Sequence, residues 1–375
     1  MRHHPMRMTV PALFRAFPAL ATQLPHRSFL PEITPITALS GPGLPSGLFV
    51  KRDEKSTPRY GGNKPRKLEF VIGAACARGV GRLLTTGGLG TNHGLATTML
   101  AREAGLATTL ILVDQPVTAE VRESLRLFSA WGAEVIDGRS VAGAVLRGSA
   151  ALVRSRLRGE RPILIPAGGS NPTGVLGAVS LALEVGEQVR AGVLPEPANL
   201  YVAVGTGGSL AGLVLGLRLA GLATHPIGIL VNDILPPTPR SLARLARRTL
   251  SLLRSADVTV PEIAIDPDDF SLVTRQLGPG YGSPTRAGRD ASVLATGGGL
   301  RLDPTYTAKG FAEILTRARE GALTTPALFW NTFNSANPWA EAPGPADPAA
   351  LPPRLRALAF ETAPAEGKSP GGNDR

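Results

Sequence analysis

From Leu48 onward the chain alternates two kinds of apolar pattern. The first is a short run with consecutive apolar positions, bounded by Gly, Pro or Asp: LFVKR, VGRLLTT, ATTLILVD, AEVID, PILIP, NLYVAVG, HPIGILVN and ALFWNT. Such runs predict short strands buried on both faces. The second is longer and amphipathic. In TAEVRESLRLFSAWG, Val121, Leu125, Phe128 and Ala130 lie mostly on one face, and TGVLGAVSLALEVGEQVRAG also reads as a helix. Alternating β and α segments predict an α/β fold, parallel sheets with helices on both faces. Residues 1–46 are Pro-rich and read as irregular, ending in the turn SGPGLPSG. From Ala340 the composition shifts to AEAPGPADPAALPP and GKSPGGNDR, which predicts a disordered tail over 341–375 apart from one helical turn around LRALAF. There is no internal repeat of fixed period.

Composition narrows the class. A chain of 375 residues exceeds what one core fills, so two lobes are expected. With 43% hydrophobic and 18% charged residues it reads as a soluble globule. The net charge of +11 would suggest a nucleic-acid partner if the Arg clustered, but they are scattered among apolar residues and read as a solvated surface. Aromatics are 5% of the chain, too sparse for base stacking, so no nucleic-acid partner is expected. No apolar run approaches the ~18 residues of a membrane span. The N-terminus is Arg-rich and lacks acid before Glu32, like a transit peptide, but Arg15 and several Pro interrupt any apolar leader core. The one cysteine, Cys76, cannot form an internal disulfide, which suits a reducing cytoplasm, and its AACA setting reads as core filling. The five histidines show no zinc spacing, so no metal is expected.

Three stretches carry candidate chemistry. In YGGNKPRKLE, Gly61 and Gly62 allow close backbone approach, and Asn63 can brace a turn that aims Lys64 inward. Taken alone, GGNK equally fits a surface lysine in a Gly-rich loop. In TTGGLGTNHGLATTML a strand end runs through Gly87, Gly88 and Gly90 into a helix capped by Thr91 or Asn92, a natural anion site, with His93 in the first turn. A plain N-cap explains the same residues. In NLYVAVGTGGSLAGLVLGL a buried strand leads through Gly205, Thr206, Gly207, Gly208 and Ser209 into a helix, the form of a phosphate cradle. A dinucleotide fingerprint competes here, with Asp233 as ribose ligand, but Leu210 stands where its third glycine belongs. A cofactor bearing both a phosphate and an aldehyde would use all three stretches, and pyridoxal 5'-phosphate is that cofactor.

The stretches KRDEKSTPRYGGNKPRKLEF, TTGGLGTNHGLAT, GTGGSLAG, GPGYGSPT and LDPTYTAKG, in this order over residues 47–335, resemble the fold-type-II pyridoxal-phosphate enzymes. Within them the likeness is to the 1-aminocyclopropane-1-carboxylate (ACC) deaminase and D-cysteine desulfhydrase family. The resemblance implies a two-lobed, tryptophan synthase β-like architecture. A large cofactor domain would span 1–66 and 179–340, and a small domain 67–178. It implies Lys64 as the Schiff-base lysine and Gly205, Thr206, Gly207, Gly208 and Ser209 as the phosphate loop. Thr91, Asn92 and His93 would meet the substrate carboxylate and the cofactor's ring oxygen. Tyr281 and Tyr306 would be the active-site tyrosines, and Thr307 and Thr332 would lie near the pyridine nitrogen. Family members are commonly homodimers.

In the family, a glutamate at position 307 accompanies ring opening and a threonine accompanies β-elimination, so Thr307 implies elimination from D-cysteine or another small amino acid, giving an oxoacid, ammonia and sulfide. Ring opening or racemisation on the same scaffold is the alternative. A non-catalytic protein that binds pyridoxal phosphate or an amino acid is another, and a nicotinamide dehydrogenase the last. The sequence departs from the family at Gly90, where Gln is usual, at Thr91, where Ser is usual, and at Asn331–Asn334, where NTFN replaces His-Thr-Gly-Gly. Phe333 and Asn334 are expected to crowd the cofactor ring or push the loop outward. Lys51, Lys67 and Lys309 lack a glycine frame and read as solvated or ion-paired.

Overall fold

The computed structural model describes residues 9–361. In chain order the elements are α1 (Ala12–Ala16), α2 (Leu20–Gln23), β1 (Ile36–Ala38), β2 (Leu48–Lys51), α3 (Lys64–Ala77), β3 (Arg82–Gly88), α4 (Asn92–Glu103), β4 (Ala107–Val113), α5 (Ala119–Ala130), β5 (Glu134–Arg139), α6 (Val141–Leu157), β6 (Pro162–Ile165) and α7 (Pro172–Arg190). They continue with β7 (Asn199–Val204), α8 (Gly208–Leu219), β8 (His225–Leu230), α9 (Pro239–Ala256), β9 (Ser271–Val273), α10 (Arg286–Gly297), α11 (Thr307–Arg319), β10 (Ala327–Trp330) and α12 (Pro353–Phe360). All eight strands expected from apolar runs are present. β4, β7, β8 and β10 are buried along nearly their whole length, as continuous apolar runs between helix layers require.

Two sheets form, of order β1-β2-β10-β7-β8-β9 and β5-β4-β3-β6. Every pairing is parallel except that of β1 with β2. In the smaller sheet the chain steps outward from β3 to β4 and β5, then crosses to β6 on the other side of β3. In the larger it steps from β7 through β8 to β9, then returns to β10 on the other side of β7. Each sheet therefore reverses direction at one strand, β3 or β7, and the crevice beyond the carboxyl ends of such strands is where open α/β sheets bind ligands. The turns after β3 and β7 are the Gly-rich stretches of the second and third motifs.

Helix α7 holds the two halves together by packing against α1, α3, α8 and α9. Behind α3 lies a buried ionic cluster. Arg66 donates to Asp53 (Nε to Oδ2, 2.9 Å; Nη2 to Oδ1, 2.9 Å) and to Glu184 of α7 (Nη1 to Oε2, 2.9 Å). Lys51, fully buried, pairs with Glu184 and donates to the Thr34 carbonyl at 2.6 Å. Trp330 Nε1 donates to Asp53 Oδ2 at 2.8 Å. The cluster thus ties β2, α3, α7 and β10 at one point. Burial alone would raise the Glu184 carboxyl, but Arg66 and Lys51 outweigh it and hold the group at about 2.

Several expectations are corrected. The N-terminal segment is not wholly irregular: α1 packs on α7 and α2 on α9, burying Leu13 and Leu20 in the core, and Arg15 Nε donates to Glu187 Oε1 at 3.0 Å. Helices of four or five residues and a three-residue edge strand are too short to show a period, which also hid β9. The segment expected as a disordered tail is ordered through Glu361. Its α12 extends the expected single turn and packs on α5, burying Leu355 and Ala359, while Arg354 pairs with Asp137 and Asp114 at 2.6 Å each. Residues 362–375 lie outside the described residues. Cys76 is exposed at the end of α3 rather than core filling. Lys51 is ion-paired as expected but is buried, not solvated.

Candidate active site

A cavity of about 500 Å³ opens at the carboxyl ends of β3 and β7, and Lys64 lies in its wall. The turn before Lys64 is set by backbone contacts. Gly62 has φ +85°, and a Cβ there would stand 2.4 Å from the Thr332 carbonyl oxygen, so only glycine fits. Gly62 N–H donates to the Asp53 carbonyl at 2.6 Å, and Gly61 N–H to Asn334 Oδ1 at 2.7 Å. Asn63 Nδ2 donates to Ser209 Oγ at 2.9 Å, which links the lysine turn to the Gly205–Ser209 loop. Lys64 is thereby placed as the first residue of α3. Its ammonium stands 5.5 Å from the Tyr306 ring centre and makes no ion pair among the described residues. Burial lowers it to about 8, and the nearby Asp303 carboxylate opposes the shift.

At the other wall Gly207 precedes α8 as its N-cap in the left-handed region, φ +87°. This turns the first N–H groups of α8 toward the cavity that Thr206, Gly207, Gly208 and Ser209 line. Ser170 Oγ accepts from Gly208 N–H at 3.2 Å and bonds Thr206 Oγ1 at 2.7 Å, tying this loop to the start of α7. Lys67, one turn after Lys64 on the same face of α3, also lines the cavity. It is buried, donates to the Gly168 carbonyl at 3.2 Å and has no ion-pair partner among the described residues. Burial first and the Lys64 charge second lower it to about 7.

Thr91 is the N-cap of α4, its Oγ1 accepting from Gly94 N–H at 3.1 Å. Asn92 lines the cavity, and its carbonyl accepts from the Tyr60 hydroxyl at 2.8 Å. His93 is buried with both ring nitrogens unpartnered among the described residues; burial, then Lys67 and Lys64, lower it to about 3, so it is neutral. Tyr281 and Tyr306 share a hydroxyl hydrogen bond of 2.9 Å with rings nearly perpendicular. Burial raises both phenols above their usual range, so the pair stays protonated.

The cavity therefore joins a poised lysine, a helix N-terminus with free N–H groups, and a second buried lysine without a counter-charge. An aldehyde at Lys64 and a phosphate at α8 and Lys67 answer each of these, so the residues present fit pyridoxal phosphate. The comparison with known proteins decides the matter: a profile described as pyridoxal-phosphate dependent enzyme matches residues 28–327. The chain belongs to the pyridoxal-phosphate dependent enzyme family. It is 35% identical over 315 residues to nocardicin C-9' epimerase of Nocardia uniformis subsp. tsuyamanensis, covering 82% of this chain and 92% of that one. It is 31% identical over 306 residues to D-cysteine desulfhydrase of Klebsiella pneumoniae (strain 342), covering 78% and 88%. The crystal structure of an ACC deaminase homologue superposes with a TM-score of 0.71 at 26% identity, covering 88% of this chain and 96% of that one. The protein is thus a pyridoxal-phosphate-dependent enzyme of the ACC deaminase and D-cysteine desulfhydrase group, with the fold-type-II architecture.

Most of the expected site residues converge. Lys64, Thr91, Asn92, His93, Gly205, Thr206, Gly207, Gly208, Ser209, Tyr281, Tyr306 and Thr332 all line the one cavity. Thr307 does not. It is fully buried at the start of α11, and its hydroxyl donates to Asp303 Oδ2 at 2.6 Å. Asp233 is no ribose ligand either: its Oδ1 accepts from Tyr281 N–H at 2.9 Å and fixes the loop bearing that tyrosine. Leu210, in place of a third glycine, is buried in room that Gly228 leaves open. Phe333 is absent from the main cavity wall, its ring 5.8 Å from the Arg301 guanidinium, but with Asn334 it lines a small adjoining pocket shared with Lys64, Tyr306 and Thr332, and Asn334 braces Gly61.

Sequence reading missed other parts. Lys67, expected to be solvated or ion-paired, is neither among the described residues. Lys309, also buried, donates to the Leu277 and Gly280 carbonyls at 2.7 and 3.1 Å and anchors the Tyr281 loop. Asp303 caps α11 and contributes its field to Lys64, Tyr60, Tyr281 and Tyr306. The spacing of Lys67 three residues after Lys64 could have flagged the first of these.

Proposed function

We propose that the protein is a deaminating lyase that removes a β-substituent from an amino acid, in the manner of D-cysteine desulfhydrase, releasing an oxoacid, ammonia and the leaving group. Pyridoxal phosphate, when bound, supplies the electron sink that makes the amino-acid Cα–H acidic. Lys64 then serves as the base. An amine at about 8 is partly neutral near neutral pH, which suits a proton acceptor. The α4 N-terminus, with Thr91, Asn92 and neutral His93, holds the substrate carboxylate through free N–H groups. The Tyr281–Tyr306 pair keeps a phenolic proton in the wall for the departing group. Gly205–Ser209, Asn63 and Lys67 hold the phosphate.

The observation that carries this reading is Lys64, lowered and unpaired, in one cavity with an anion cradle. Thr307, buried with its hydroxyl on Asp303, offers no carboxylate at the position where the family's ring-opening members carry glutamate, which supports elimination over ring opening. The 35% identity to an epimerase supports a second reading, in which the same base inverts Cα without eliminating anything. Product analysis on D- and L-amino acids with β-leaving groups separates them. Oxoacid and ammonia at a steady rate support the lyase. Inversion of optical rotation without oxoacid overturns it in favour of the epimerase.

A further inference from the structure

The cavity has two unlike halves. Among the described residues, Lys64 and Lys67 are the only charged ones in its wall, and they lie with Thr91, Thr206 and Ser209 at one end. The other end is mostly aliphatic: Val141, Val145 and Leu152 of α6, Leu164 of β6, and Ile234 and Leu235 of the loop after β8, with Ser149 and Asn232 the polar members of those walls. Four of these are well exposed, Val145 at 65%, Leu164 at 54%, Ile234 at 44% and Leu235 at 65%. Large aliphatic side chains left open on facing walls of one recess mark a ligand surface. The polar end accounts for the cofactor and the substrate carboxylate and leaves the aliphatic end unassigned. A side chain ending in one sulfur atom would leave that surface to water, which is unfavourable.

We propose that the substrate is an amino acid whose side chain carries a bulky apolar group, of aromatic size, seated between α6 and the loop after β8. This rests on the amino-acid reading of the site given above and sharpens its substrate. The occupant is the substrate rather than a second copy of the chain, because the aliphatic walls belong to the same recess as Lys64, and a protein covering them would shut the route to that lysine. Elimination keeps its balance. The Cα proton goes to Lys64, and the Cβ–S or Cβ–O bond breaks with both electrons going to the heteroatom. That atom leaves protonated, as a bulky thiol or alcohol instead of hydrogen sulfide, and water completes hydrolysis to ammonia and an oxoacid.

The test uses two amino acids that lack a Cα proton and so are not turned over, α-methylphenylalanine and 2-aminoisobutyrate, titrated calorimetrically into the holoenzyme. The aromatic one is expected to bind about tenfold tighter or more. Val145→Asp should shrink that ratio, while Leu146→Asp, on the same helix but outside the cavity wall, should leave it unchanged and so controls for folding. Equal affinities would overturn the proposal and mean that the aliphatic walls close on each other. A ratio unmoved by Val145→Asp would also overturn it, as would a dimer that Val145→Asp dissociates while the affinities are equal. A protein that gains no visible band with pyridoxal phosphate removes the functional reading and this inference together. A band with equal affinities removes this inference alone.

Discussion

Helix α3 presents basic residues to two surroundings that treat them oppositely. Behind it, Arg66 meets Asp53 and Glu184 within 2.9 Å, and Lys51 shares Glu184, so each buried charge has a partner. In front, Lys64, Lys67 and His93 sit together without an ion-paired carboxylate among the described residues, and burial lowers all three. Adjacent residues, Arg66 and Lys67, fall on opposite sides of this division because a helix turns about 100° per residue. A compensated buried cluster is a structural joint, as it is expensive only when a partner is removed. An uncompensated one is a site whose missing charge arrives with the ligand.

The sharpest way to break this comparison is Arg66→Ala, which strips Asp53 of its guanidinium and leaves Glu184 with Lys51 alone. It should destabilise the protein by about 3–5 kcal/mol in urea unfolding, with or without cofactor. Lys67→Met should act on the other side. Cofactor affinity should fall about tenfold to hundredfold, as one charge-assisted phosphate contact is lost, while the cofactor-free fold is not destabilised, because the variant no longer buries an uncompensated amine. Equal stability losses in the two variants would erase the distinction between the faces. A pH series sharpens it further. The Lys67 ammonium is lowered from 10.5 to about 7, so between those values the unfolded chain holds a proton that the folded one does not. Cofactor-free stability therefore rises with pH across that window. Lys67→Met should reduce the slope by up to about 1.4 kcal/mol per pH unit, read from urea midpoints at pH 7 and 9.

What the sequence showed was local. Each long strand announced itself by consecutive apolar residues, and the GGNK, TNH and GTGGS turns by glycines followed by helix-start signals. Those are short-range effects of backbone sterics and burial. Most of what stayed hidden depends on distant partners. Nothing near Lys67 in sequence says that no acid reaches it, and nothing near Asp233 says that its carboxylate meets the Tyr281 amide 48 residues away. Thr307 stands beside Tyr306 in the chain, yet Asp303 draws its hydroxyl away from the cavity. Only one turn of α12 was legible for the same reason: the stability of the whole helix comes from docking Leu355 and Ala359 on the α5 side of the molecule, not from its own eight residues.

The central claim, that the front of α3 is an anion-seeking site built around one reactive amine, is tested most directly by visible spectra of the purified protein with pyridoxal phosphate. Wild type should gain an absorption band that Lys64→Ala loses, and Lys67→Met should recover that band at higher cofactor concentration. A band that persists unchanged in Lys64→Ala, or a wild-type protein that stays colourless, would contradict the account.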